Sequence, residues 1–162
     1  MLMLLFYIGD DLYALDSSQV VEIIPRVFLR KIHHAPKYVA GLFNYRGAIV
    51  PVLDLCHLIQ DKPSRSYLST RIIMVNYLAK DNTRHCFGLM AERVTETLNK
   101  SDTELADTDM PLDEAHPYLG KIIMDEKGMI QRIRLEYLLS DSQHRNLLAA
   151  GKDANTNDPV NN

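Results

Sequence analysis

Six histidines, two cysteines and twenty-one carboxylates are the groups of this 162-residue chain with the means to do chemistry. Their spacing builds no legible reaction centre. His33, His34, His57, His85, His116 and His144 form no H-x-x-x-H or H-E-x-x-H pattern, the spacing that sets two imidazoles on one helical face around a metal. Cys56 and His57 are neighbours in sequence, but a nucleophile–base dyad needs spatial opposition and a third group to orient the base. The competing reading of Cys56 is a packed core thiol. The acidic stretch Asp102, Glu104, Asp107, Asp109, Asp113 and Glu114 lacks the glycine-centred spacing of a calcium loop and reads as a solvated loop. Phosphate-cradling glycine loops and nucleophile elbows do not occur. No cofactor or metal is therefore expected. A small enzyme or ligand-binding barrel working through Cys56 or a histidine is the alternative to a binding module.

Two charges stand among apolar neighbours: Glu22 within Val20-Val21-Glu22-Ile23-Ile24, and Arg46 ahead of Gly47-Ala48-Ile49-Val50. One reading makes them unrelated surface charges. The other pairs them at the rim of a groove, where an ion pair shapes the groove more than it stabilises the fold, exposed pairs being worth about 0–1 kcal/mol.

The elements that would position them are mostly short strands. Gly47 to Leu55 is apolar on both alternating faces, as in a strand covered on both sides, and Pro51 predicts that it lies at an edge or carries a bulge. Residues 2–8 and 12–15 flank Gly9-Asp10-Asp11, a hairpin signal. Ser17 or Ser18 is placed to cap a short helix from Gln19 that ends before Pro25. Residues 27–32 read as a strand, and Ala35 to Gly41 as a proline-started turn or single helical turn closed by glycine. Further strands are predicted at 71–78, 86–90, 93–98, 118–124 and 129–135, with a polar loop at 61–68 and the longest loop at 99–117. A helix begins at Leu135. Nine or ten short strands without βαβ alternation point to small antiparallel barrels or a sandwich.

Composition bounds the partners. At 46% hydrophobic residues the chain can bury a core without staples, and a net charge of -3 argues against nucleic acid. Arg26, Arg30 and Lys31 are spaced by apolar residues and read as a solvated strand face. Two cysteines outside any C-x-x-C motif are expected as free, buried thiols. The apolar start Met1 to Ile8 lacks a basic leader and is too short to span a bilayer, so a cytoplasmic protein without direct membrane insertion is expected.

Four blocks taken in order resemble the CheW-like domain family. They are Leu5-Phe6-Tyr7-Ile8-Gly9 with Tyr13-Ala14-Leu15-Asp16; Val20 to Ile24; Pro36 to Leu55, with Gly41 and the Arg46-Gly47 turn; and Leu135-Glu136-Tyr137-Leu138-Leu139. The resemblance implies a mainly β fold of two SH3-like five-stranded barrels with a few short helices over residues 1–140, followed by a helix remnant and disordered tail at 141–162. It implies a non-enzymatic, cofactor-free adaptor between the cytoplasmic tip of a methyl-accepting chemoreceptor and the regulatory domain of a CheA-type histidine kinase, held at membrane receptor arrays through these partners. By position, Val20, Glu22, Gly41, Arg46 and Gly47 would form the receptor-binding groove. Four departures stand out: Tyr45 where the family usually has leucine, which gives the turn an extra hydroxyl; Arg71 at the start of an otherwise apolar strand; Ala91-Glu92-Arg93-Val94 in place of the more usual Val-Asp-x-Val; and Gln131, Arg132 and Arg134, which make the last strand more polar. Such divergence suits an alternative pathway, such as surface sensing, pilus motility or cyclic-dinucleotide control. A stand-alone regulator competing for the same partners fits the same residues.

Overall fold

Strands apolar on both faces need a cover on each side, and that requirement organises the molecule. The computed structural model describes residues 1–78, 82–105, 114–140, 143 and 145–147. Its strands are β1 (Leu2–Ile8), β2 (Asp11–Asp16), β3 (Val20–Pro25), β4 (Val39–Tyr45), β5 (Ala48–Asp54), β6 (Arg71–Leu78), β7 (Arg84–Ala91), β8 (Arg93–Asn99), β9 (Leu119–Asp125) and β10 (Gly128–Ile133). Among the described residues helix is confined to short pieces, chiefly α1 (Leu55–Gln60) and α2 (Asp102–Leu105), with 3-10 turns at Ser17–Gln19 and Leu135–Tyr137.

The strands form two five-stranded sheets, ordered β8-β1-β2-β10-β9 and β3-β6-β7-β5-β4. The second is one continuous stretch of chain. The first joins the amino-terminal hairpin to the last three strands, β2 pairing in parallel with β10 at Leu12–Ala14 against Ile130–Arg132. Successive residues of a strand face opposite sides, so each two-sided strand feeds two cores. Met3 and Leu5 of β1 pack with Leu12, Ala14, Ile123 and Ile130 inside the first sheet. Ile72 and Met74 of β6 pack with Val50, Val52 and Met90 inside the second. The alternate residues Leu4, Phe6, Ile8, Ile73, Val75, Phe87 and Leu89 meet in a third, shared core between the sheets. Ion pairs draw the outer strands of the first sheet together: Lys100 Nζ, just beyond β8, lies 3.1 Å from Asp125 of β9, and Lys127 pairs with Glu96 of β8.

Several local expectations are corrected. Residues 20–25 are strand β3, not a helix. Their β-branched run favours a pleated, half-buried surface over a helix, and the capping chemistry is spent on the preceding 3-10 turn, where Ser18 N donates to Asp16 Oδ1 at 3.0 Å. Residues 27–32 form no strand; a single bridge, Arg30 to Leu42, touches the β4 edge. Strand β5 is not at an edge. It lies between β7 and β4, and Pro51 stands just before the parallel ladder of Val52–Asp54 with β7, so its missing N–H falls outside that ladder. Gly41 does not close the turn after Pro36 but sits within β4, at a register shift between Val39 and Gly41. The Leu135 helix is a 3-10 turn. Most of the 141–162 tail, His144, and Asp107, Asp109 and Asp113 lie outside the described residues.

Candidate functional site

Arg46 and Gly47 are the two loop residues of the β4–β5 hairpin, between the paired residues Tyr45 and Ala48. Both take positive φ, 51° and 87°. That is the geometry of a two-residue primed turn, whose twist matches the flanking strands. Asn44 holds the turn by accepting from Gly47 N at 2.8 Å. The left-handed backbone at Arg46 fixes where its side chain leaves the sheet.

Strands β3 and β4 are the opposite edges of this sheet, yet Glu22 on β3 meets the β4–β5 hairpin. Arg46 Nη2 donates to Glu22 Oε1 at 3.0 Å. The Tyr45 hydroxyl donates to the same oxygen. The Arg46 guanidinium lies over the Tyr45 ring, 5.1 Å from its centroid, and Phe43 packs on that ring at 5.9 Å. The cluster thus bridges the two sheet edges at the mouth of the inner core to which Phe43, Tyr45 and Cys86 belong. Desolvation, with the hydrogen bond to Glu22, pushes the Tyr45 phenol up to about 12.

Glu22 owes its direction to a bulge. Val20 pairs with Val75 but Glu22 with Met74, a shift of register between them. Val20 consequently packs against the shared core, while Glu22 turns to the mouth of the inner core. The structure therefore unites Glu22, Arg46 and Gly47 and leaves Val20 half-buried behind them. Its neighbours Val21 and Ile23 carry the exposure, at 44% and 41%, and form a greasy margin along edge strand β3. Gly41 lies farther along β4, where it accommodates the Arg30 backbone. A tyrosine beside Arg46 at a leucine position is the signal in the sequence; its acceptor on β3 is 23 residues away and only the fold brings it there.

A second polar cluster stabilises the corner where β7 passes into β8. Burial pushes the Glu92 carboxyl up, but hydrogen bonds from Arg65 and Cys56, the Arg65 charge and the Gly9 backbone amide outweigh burial and hold it below its ordinary 4.5. Arg65 Nε lies 2.7 Å from Glu92 Oε2, and Cys56 Sγ 3.4 Å from Oε1. A carboxylate depressed in the folded state lends stability above its unfolded pKa, and loses it as pH falls through the folded one. Urea titrations should show the wild-type midpoint falling as pH drops below about 4.5. Glu92→Gln should flatten that dependence and cost about 1–2 kcal/mol at neutral pH, Arg65 being exposed enough to screen the pair. Parallel acid slopes for the two proteins would remove Glu92 as the cause.

Burial also pushes the Cys56 thiol up to about 11, the wrong direction for a nucleophile. No group of metal-ligating side chains is found among the described residues. No described helix is long and apolar enough to cross a membrane.

Comparison with known proteins agrees with this architecture. The CheW-like domain matches residues 2–143. A probable chemotaxis protein CheW of Rhizobium etli is 28% identical over 139 residues, spanning 85% of this chain and 86% of the relative. The chemotaxis protein CheW of Helicobacter pylori is 24% identical over 83% of this chain and 78% of its own length. The crystal structure of the scaffolding protein TtCheW from Thermoanaerobacter tengcongensis superposes with a TM-score of 0.72 at 25% identity, covering 90% of this chain and 92% of that one. These relatives carry chemotaxis and scaffolding names rather than enzyme names, and they lend no support to an alternative pathway. With the match running over nearly its whole length, the chain belongs to the CheW-like domain family, a family of scaffold and adaptor proteins, not enzymes.

Proposed function

We propose that this protein is an adaptor that couples methyl-accepting chemoreceptors to a CheA-type histidine kinase in cytoplasmic arrays. The observation that carries the reading is the Glu22–Tyr45–Arg46 cluster, fixed across two sheet edges beside the exposed Val21 and Ile23. A charged, preorganised rim next to an apolar strand suits a helical hairpin tip. The apolar margin supplies affinity, and the charges set register and partner choice. Gly41 and Gly47 serve this site by shaping the hairpin, and Val20 by backing the strand. Such a protein acts by geometry. Holding receptor and kinase together links their conformational equilibria, so a shift in one biases the other.

The test is binding of the purified chain to a cytoplasmic hairpin-tip fragment of a methyl-accepting chemoreceptor. Arg46→Glu sets like charges side by side at Glu22 and should weaken binding about tenfold or more. The circular dichroism should be unchanged, because the side chain of Arg46 is largely exposed. Equal binding by both proteins would overturn this assignment of the groove.

A further inference from the structure

Both donors to Glu22 use one carboxylate oxygen. Tyr45 and Arg46 each donate to Oε1, and Oε2 has no hydrogen-bond or ion-pair partner among the described residues. The Glu22 side chain is 36% exposed, so the carboxylate is within reach of an incoming group. The two donors are covalent neighbours in one short turn. That turn is itself held by Asn44 through the Gly47 amide at 2.8 Å and by Phe43 against the Tyr45 ring. Arg46 alone would leave the carboxylate with a long, solvated partner of many rotamers. Tyr45 adds a donor on a ring with only two torsions, in tilted contact with Phe43 and with the Arg46 guanidinium over it.

Resting on the receptor-groove reading above, we propose that Tyr45 is the positioning and specificity residue of this groove. Its hydroxyl and Arg46 lock Glu22 through Oε1, and leave Oε2 as an acceptor for a hydrogen-bond donor, an amide or a cationic side chain, on the docked hairpin. A leucine at this position would leave the ion pair but not the lock. The consequence is selectivity: tips that offer a donor there are favoured, and tips that offer a carboxylate are rejected by charge.

The experiment uses the full chain and the same receptor-tip fragment. Tyr45→Phe keeps the ring and removes only the hydroxyl. It should weaken binding about fivefold while the thermal midpoint stays close to wild type. Glu22→Gln should weaken binding as well, and the double variant should bind no worse than Glu22→Gln alone, because the hydroxyl acts only through that carboxylate. An ultraviolet pH titration supplies a readout that packing does not move: the Tyr45 ionisation, taken as the difference between a protein and its Tyr45→Phe counterpart, should lie at lower pH in the Glu22→Gln background than in wild type. Wild-type affinity in Tyr45→Phe, or losses that multiply in the double variant, would overturn the proposal while leaving the groove in place. A wild-type chain that does not bind the tip, or an Arg46→Glu variant that binds equally, would remove the groove reading and this proposal with it.

Discussion

Gly41→Ala should destabilise the protein by about 3 kcal/mol or more and detach the 26–38 connection from β4. The backbone at Gly41 has φ of 151°, and an added Cβ would lie 2.5 Å from the Arg30 carbonyl oxygen and 2.9 Å from Leu29 Cβ. The first neighbour is main chain and has no rotamer to yield. The contact cannot relax without opening the paired bonds Arg30 N to Leu42 O and Leu42 N to Arg30 O, both 2.8 Å. That bridge holds β4 at Leu42, its middle residue, three positions before Tyr45 and the Arg46 turn. Loss of the bridge should therefore weaken receptor-tip binding as well as stability. Gly47→Ala separates the two costs. Gly47 also has a positive φ, 87°, but nothing lies within 4 Å of its added Cβ. It should lose only the backbone preference, about 1 kcal/mol. Equal urea midpoints for the two variants would show that the close approach at Arg30 carries no weight.

Asp54→Ala should cost about 3 kcal/mol, because one buried carboxylate serves two elements. Asp54 caps α1, its Oδ1 accepting from Cys56 N at 3.1 Å and His57 N at 3.4 Å. It also anchors the 61–70 loop: Ser64 N donates to Oδ2 at 2.8 Å and Ser64 Oγ to Oδ1 at 2.5 Å. Alanine leaves those donors without an acceptor in a site only 6% exposed. Asp54→Asn retains an acceptor but not the charge, and should recover about half of the loss. Hydrogen exchange is the sharper measurement. The Ser64 amide should become fast in Asp54→Ala, whereas β6 and β7 amides keep exchanging with global unfolding. Protection at Ser64 equal to wild type would rule out Asp54 as the anchor of the loop.

Both substitutions act on features that are only partly visible in the linear sequence. Asp54 before Leu55-Cys56-His57 is a local capping pattern, legible because cap and amides are adjacent in the chain. Its second task, holding Ser64, depends on where the loop returns. Gly41 stands out as a glycine in an apolar run, but its neighbour at Arg30 was placed by the course of a connection that forms no strand.

The same division runs through the whole protein. Most of the strands, the two-sided burial of the segment ending at Leu55, and the tight turns at Gly9-Asp10 and Arg46-Gly47 were determined by the sequence alone. Alternation and turn conformation are properties of a few consecutive residues. The tertiary structure decided the rest. It made Val20–Pro25 a strand by offering β6 as a partner, placed β5 inside a sheet despite Pro51, and joined β1 and β2 to the last three strands. It also turned Glu22 through a bulge to meet Tyr45 and Arg46. Those outcomes depend on contacts between segments distant along the chain, whose free energy exists only once both sheets have closed on their common core.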